Sequence, residues 1–354
     1  MAEYKIFDMH THAYTPGALE FMQEYMTSAG LDGIAIASFG CDRNGCVAEQ
    51  NILPLIFKAR DERIMAYGSL IYPTAPAAAL EGKWNLVSQA KRLLQMGFDG
   101  IKILESKPDS RKLVGLPLSG EAYREFFEYL EEAGVPVLWH VADPPEFWDA
   151  EKAPAFAREA GWIYDDSFLT WEEIIGEALD VVERHKRLKV IFAHFFFHSH
   201  SIARAQEILD AYPNVSFDLT PGIEMYINFT QNADEWREFF IRNCDRIMFG
   251  TDADEFCADV MCEDEKSPSV TVEHIRRFLE TDERFEFWGR PVKGLALPQE
   301  VLMKLYCGNF MDSVRERKSV DLGLLRDYTF DFGEHIYSPE NRAWIQEQLF
   351  GDAN

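Results

Sequence analysis

The sequence predicts an α/β protein, a (β/α)8 TIM barrel with long loops after strands 5 and 8 and a C-terminal helical tail. Three observations predict it. Short aliphatic and β-branched runs alternate with helical periodicity until eight strands are counted, the number that closes a parallel barrel. Histidine and aspartate residues stand at the C-terminal ends of several runs, the face on which barrels build their sites. No G-x-G-x-x-G or P-loop follows strand one, which counts against the rival, a doubly wound open sheet.

Taken in order, strand one is Lys5 to His12, followed by a helix over about Gly17 to Ser28. Strand two is Gly33 to Phe39, entered through Leu31-Asp32-Gly33, with a helix over Val47 to Lys58 after it. Strand three is Arg63 to Ile71, and Trp84 to Gln95 has apolar residues at helical spacing. Met96-Gly97 stops that helix and introduces strand four, Phe98 to Leu104. A helix opens at Ser119-Gly120-Glu121 and ends at Gly134. Strand five is Val135 to Val141, and a long excursion, Ala142 to Leu169, precedes a helix over Trp171 to His185. Strands six, seven and eight are Lys189 to His194, Val215 to Leu219 and Arg246 to Asp252, with helices at Ile202 to Ala211 and Ala233 to Asn243.

A barrel needs about 250 residues, and the chain has 354. The surplus falls at 142–169, at 253–297 and after about 315, so residues 1–315 are expected to form the barrel and 316–354 a C-terminal extension packed on it. In the tail, Ser338-Pro339-Glu340 gives an N-cap and a first-turn proline for a helix to about Phe350.

Hydrophobic residues at 47% allow a large core, and a net charge of -25 would repel nucleic acid or an anionic membrane. No run of about 18 apolar residues offers a membrane span. A cleavable leader is not expected, since its removal would take Asp8, His10 and His12 with it. A cytoplasmic protein acting on a small molecule is the expectation. Six cysteines make no disulfide scaffold; Cys41 with Cys46 and Cys257 with Cys262 share a C-x4-C spacing and are expected as reduced thiols.

The candidate site starts at Phe7-Asp8-Met9-His10-Thr11-His12. Alternation in a strand puts Asp8, His10 and His12 on one face, and two neutral imidazoles there make half a metal site. His140, His194 and Asp252 end strands five, six and eight, so one rim collects four histidines and a carboxylate.

With those residues in place, the chain resembles the amidohydrolase superfamily, in particular amidohydrolase-related family 2, which includes decarboxylases, hydratases and lactone hydrolases. The resemblance rests on Phe-Asp-Met-His-Thr-His, Gly-Ile-Lys-Ile at strand four, Trp-His-Val-Ala-Asp-Pro, Ile-Phe-Ala-His, Tyr-Pro-Asn-Val-Ser-Phe-Asp and Asp-Arg-Ile-Met-Phe-Gly-Thr-Asp, and spans about Lys5 to Val314. It implies one divalent metal, zinc or alternatively manganese, on His10, His12, His140 and Asp252. It leaves His194 to polarise substrate or shuttle a proton, at a pKa near neutrality, and gives Asp252 the general-base role in hydrolysis. Lys102 is either a carbamylated bridge, which would move His140 and His194 to a second metal, or it anchors a substrate carboxylate or pairs with an acid. Pairing into a homodimer is also common among such barrels.

One departure follows His194, where the family usually has glycines and this chain has Phe195-Phe196-Phe197-His198-Ser199-His200. His198 and His200 are expected as surface or helix-start residues. Arg43, Lys107 and Arg111 are candidate cations for a substrate carboxylate, and Trp148 belongs to an aromatic group, with Trp139, Phe147, Trp162 and Trp171, that suits a ring-bearing ligand. Three functions stay open: hydrolysis of an ester, lactone or amide, which is favoured because attack by metal-bound water is the default chemistry of this constellation; decarboxylation or hydration, which the family resemblance adds as the runner-up; and metal binding without catalysis.

Overall fold

The computed structural model describes residues 4–42, 45–73, 80–256 and 268–351. Its eight barrel strands are β1 (Phe7–Thr11), β2 (Gly33–Ala37), β3 (Ile64–Ser69), β4 (Gly100–Ser106), β5 (Pro136–Val141), β6 (Lys189–Phe192), β7 (Val215–Asp218) and β8 (Ile247–Met248). They lie in sequence order in one sheet, every pair parallel. Beyond β8 the chain stays extended enough to close the ring: Met9 N–H donates to Phe249 O, Asp252 N–H to His10 O and His12 N–H to Ala253 O, at 3.1, 2.8 and 2.8 Å.

The helices form where the periodicity puts them, and their ends explain why. Gly97, at φ 117°, stops the helix Leu86–Met96, whose Asn85 side chain caps Ser88 N–H. In Glu121–Ala133 the buried residues Tyr123, Phe126, Phe127 and Leu130 fall at i, i+3, i+4 and i+7. Thr170 and Glu173 make a reciprocal capping box at the start of Trp171–Arg184.

Two sets of side chains fill the molecule. Phe7, Met9, Ala35, Ala37, Met65, Tyr67, Leu138, Ile191 and Met248 pack inside the barrel with Phe310 and Val314. The opposite faces of the same strands, such as Ile34, Ile36, Ile101 and Ile103, pack on the surrounding helices.

The structure departs from the sequence expectation in several places; strand eight, for one, is Ile247–Met248 and not Arg246 to Asp252. The stretch 253–297 is not a bare loop: it holds the helix Pro268–Glu280 and an antiparallel hairpin, Arg284–Phe287 with Arg290–Lys293. The helix Ile223–Gln231, unexpected from the spacing, fills the chain between β7 and Ala233–Arg242. Strand six stops at Phe192, because His194, Phe195, Phe196 and Phe197 all take left-handed angles, φ 51–56°. Four consecutive non-glycine residues there cost about 1–2 kcal/mol each, offset by burial: Phe195 packs against the rings of Phe217, Phe229 and Trp236.

The tail begins on the barrel's N-terminal side and ends beside the segments that follow β1 and β2, where Asn341 Nδ2 donates to Tyr14 O and Ala48 N–H to His335 O. The Arg317 guanidinium donates to Lys58 O, Asp61 O and Ile64 O, and Lys318 N–H to Asp99 Oδ1. Asn51, on the helix Glu49–Arg60, donates to Tyr328 OH. Among the described residues no helix is long and apolar enough to cross a membrane.

Candidate metal centre

Strand β1 does not keep a two-residue period. Asp8 pairs with Ile34 and Thr11 with Ile36, so three steps on β1 match two on β2, and a bulge lies between them. The extra residue reverses the alternation. Asp8 therefore faces the helix Ala18–Ala29 and not the mouth, which corrects the expectation that it shares a face with His10 and His12. There it accepts from Tyr25 OH, Thr251 Oγ1, Thr251 N–H and His10 N–H at 2.7, 2.5, 3.1 and 3.2 Å. Burial pushes its carboxyl up to about 7. Asp8 thus ties β1 to the segment that carries Asp252.

His10 and His12, past the bulge, point into the mouth. His10 Nδ1 lies 2.8 Å from Asp218 Oδ2, and His12 Nδ1 lies 2.7 Å from Ala37 O. Both partners are acceptors, so each Nδ1 carries the hydrogen and each Nε2 presents a lone pair. Those two Nε2 atoms are 3.2 Å apart. Asp252 Oδ1 lies 3.4 Å from His10 Nε2 and 2.9 Å from His12 Nε2, and the ligand atoms of the three residues fall within 4.8 Å of one another. The three acceptors form a group that could hold a cation, and their chemistry, two imidazoles and a carboxylate, fits a divalent metal.

Electrostatics keep these groups in their ligating forms. Burial, assisted by Lys102, pushes the His10 imidazole well below its ordinary value, so the ring is neutral. Burial acts to raise the Asp252 carboxyl, and the pairing of its charge with His10 and His12 acts to lower it. Its side chain keeps 39% of its surface open, while His10 and His12 are closed off, so solvent reaches the centre beside the carboxylate. Asp252 takes φ 62°.

The other expected residues surround this group. Lys102, 1% exposed, places Nζ 2.7 Å from His10 Nε2, and burial lowers its ammonium to about 8. The His194 ring centre is 5.7 Å from that of His10 and 4.8 Å from that of His140. Burial takes the His194 imidazole down to about 4, which differs from the near-neutral value expected of it. His140 Nε2 faces Asp143 Oδ1 at 3.3 Å, and His140 is not one of the three converging residues. Asp143 also accepts from Tyr164 OH and from Lys107 Nζ, at 2.5 Å for the latter. Lys107 is therefore ion-paired, as is Arg111 with Glu177 at 2.9 Å.

Trp148 packs on Tyr164 and donates its indole N–H to Leu169 O, within the excursion after β5. Arg43, Cys257 and Cys262 lie outside the described residues. His198 is no surface residue: it is buried, donates Nδ1–H to Phe196 O, stacks on the Phe196 ring and lies beside Trp171. His200 is exposed.

Three contributors were not singled out from the sequence. Asp218, at the end of β7, accepts His10 Nδ1–H, His194 N–H (2.7 Å) and Thr220 N–H (3.1 Å); its strand-end position was the available signal. Phe39 stacks on His12 with ring centres 4.1 Å apart, 23° between planes, and continues to Tyr14. Gly250 lets the strands approach, since a Cβ there would stand 2.6 Å from Thr220 Oγ1 and 3.1 Å from His10 Cβ.

A family model described as Amidohydrolase (Amidohydro_2) matches residues 7–309. Comparison with curated proteins finds no match. Among solved structures, the chain is similar to an uncharacterised TIM-barrel protein from Bordetella bronchiseptica (14% identity, TM-score 0.54, 88% of this chain and 100% of that one). It is also similar to an amidohydrolase from Burkholderia multivorans with bound zinc (13%, TM-score 0.51, 88% and 99%). A third similar structure is 5-carboxyvanillate decarboxylase from Novosphingobium aromaticivorans, complexed with manganese and 4-hydroxy-3-methoxy-5-nitrobenzoic acid (11%, TM-score 0.53, 88% and 96%). At these identities the likeness speaks to the fold.

Proposed function

Because the chain belongs to the amidohydrolase family, we propose that it is a metal-dependent hydrolase acting on an ester, lactone or amide of a small substrate that is ring-bearing or carboxylated. The observation that carries this reading is the convergence of His10 Nε2, His12 Nε2 and Asp252 Oδ1 on one point. Zinc is the metal proposed, with manganese the alternative, and His140 is the proposed further ligand. A bound divalent ion supplies Lewis acidity toward the substrate carbonyl and the attacking water.

The chain's own residues supply the rest. Asp252, ionised and partly open to solvent, takes the proton of the attacking water. Asp218 and Ala37 O hold the imidazoles in the tautomers that turn the Nε2 lone pairs toward the centre. His194, neutral at pH 7, contacts Thr220 O through Nδ1 at 3.3 Å and turns its other nitrogen to the substrate. Lys102 offers a cation to a substrate carboxylate in place of a bridging role.

A second reading, decarboxylation, draws support from Phe39: a flat ring face stands beside the centre with Lys102 Nζ 5.9 Å from it, an arrangement suited to a planar ring acid. A screen of metal-loaded protein against lactones, aryl esters, amides and ring carboxylates, with acid production and carbon dioxide release followed together, separates the two. Acid release without carbon dioxide supports hydrolysis; carbon dioxide release overturns it in favour of the second reading.

A further inference from the structure

At the mouth, the segments that carry His12 and Asp252 run side by side. Thr11 bridges Ala253 in parallel, and His12 N–H donates to Ala253 O at 2.8 Å. Past that bond, Tyr14 N–H and Thr15 N–H both donate to Glu255 Oε1, at 2.9 and 2.7 Å. The tail reaches the same place: Asn341, 4% exposed, donates from Nδ2 to Tyr14 O at 2.9 Å. Asn341 is itself held at the start of its helix, Pro339–Phe350, where its N–H donates to Ser338 Oγ at 3.2 Å. Glu49 accepts from the N–H groups of Tyr337 and Ser338 just before it. We propose that Glu255 and Asn341 are positioning residues of the metal centre: together they fix the His12–Thr15 backbone, and with it the direction in which His12 presents Nε2 toward Asp252.

A trans peptide points its N–H and its C=O in opposite directions. In the peptide between Tyr14 and Thr15, Glu255 takes the N–H and Asn341 the C=O, so two side chains from different parts of the chain hold one peptide plane. Capping is not the reason for the Glu255 contact, since the helix Ala18–Ala29 begins three residues later with Gly17 at its N-cap. A carboxylate oxygen that accepts two N–H groups makes charge-assisted bonds, which are stronger than neutral ones. The His12 ring is already held by Ala37 O at Nδ1 and by the Phe39 face, which leaves the main chain behind it to set its reach. Metal–ligand distances are confined to about ±0.2 Å, so a small slip of this segment is felt as lost affinity. The inference rests on the metal centre proposed above, and holds whether hydrolysis or decarboxylation takes place there.

Full-length protein stripped of metal is titrated with cobalt(II), whose visible absorption bands report ligand geometry. Zinc affinity is measured by competition with a chromophoric chelator, and urea unfolding of the metal-free protein is followed in parallel. Glu255→Ala is expected to weaken zinc binding about 10-fold and to change the cobalt spectrum. Glu255→Gln keeps a carbonyl oxygen for both N–H groups and should return the wild-type spectrum and zinc affinity. Asn341→Ala should move affinity in the same direction as Glu255→Ala, and decides the matter if Glu255→Ala does not fold. Variants that unfold in less urea yet keep the wild-type zinc Kd and cobalt spectrum would reduce both contacts to structural ones and overturn the proposal. A Glu255→Gln protein as impaired as Glu255→Ala would overturn it too. A wild-type protein that takes up neither metal overturns the metal centre itself, whereas unchanged binding in the variants of a metal-binding wild type overturns this inference alone.

Discussion

Asp218→Asn tests whether the centre depends on imidazole tautomers. Asp218 Oδ1 holds two backbone N–H groups, of His194 and Thr220, and Oδ2 holds the His10 ring at Nδ1. Asparagine keeps the volume. Its carbonyl oxygen must stay with the two N–H groups, so its amide meets His10 Nδ1. An N–H donor there drives the imidazole hydrogen to Nε2, the atom that faces His12 and Asp252. Loss of an orienting partner of this kind lowers metal affinity about 10–100-fold, or about 1.4–2.7 kcal/mol. Competition for zinc against a chromophoric chelator measures the effect, with circular dichroism to establish that the variant folds. A zinc Kd within twofold of the wild type in a folded variant would refute the reasoning.

Phe195→Ala and Phe195→Gly both lose the buried ring and should each destabilise by several kcal/mol, but glycine, free of left-handed strain, should come out about 1 kcal/mol more stable than alanine in denaturant unfolding. That order is opposite to the one found in ordinary helices, and the ordinary order would remove the strain from the account. His198, which burial takes down to about 4, binds a proton in the unfolded chain near pH 6.5 but not in the folded one. Its contribution to stability is thus present above about pH 6.5 and lost as pH falls toward 4, by up to about 3 kcal/mol. His198→Asn should remove that part of the acid dependence; unchanged pH profiles for the two proteins would contradict it. Lys102→Met should keep the metal while raising KM for a carboxylated substrate about 10–100-fold, the value of a charge-assisted hydrogen bond. Loss of metal in that variant would make Lys102 a ligand.

The barrel was legible because its signals are periodic and local: apolar runs of strand length, helices with glycine stops at Gly97 and Gly134, and chemistry at strand ends. What escaped has no local sequence signal. The β1 bulge between Asp8 and Thr11 is set by pairing with β2, and nothing in Phe-Asp-Met-His-Thr-His marks it. The left-handed turn at His194–Phe197 contradicts the preference of every residue in it and exists because Phe195 is packed by rings more than 20 residues away. His198 was misread in the same way, its neighbour Trp171 lying in a distant part of the chain. Asp218 lay at a strand end like the residues that were chosen, yet a carboxylate that acts through His10 differs from an ordinary cap only once the fold brings the two together.

Every role proposed at the mouth depends on a divalent metal held by His10, His12 and Asp252. Metal content per chain, by plasma mass spectrometry on protein expressed with added zinc or manganese, tests it most directly, with His10→Ala prepared in parallel. About one metal per chain is expected in the wild type and almost none in the variant. A wild-type protein that carries no metal under these conditions, or a variant that keeps the wild-type amount, would contradict it.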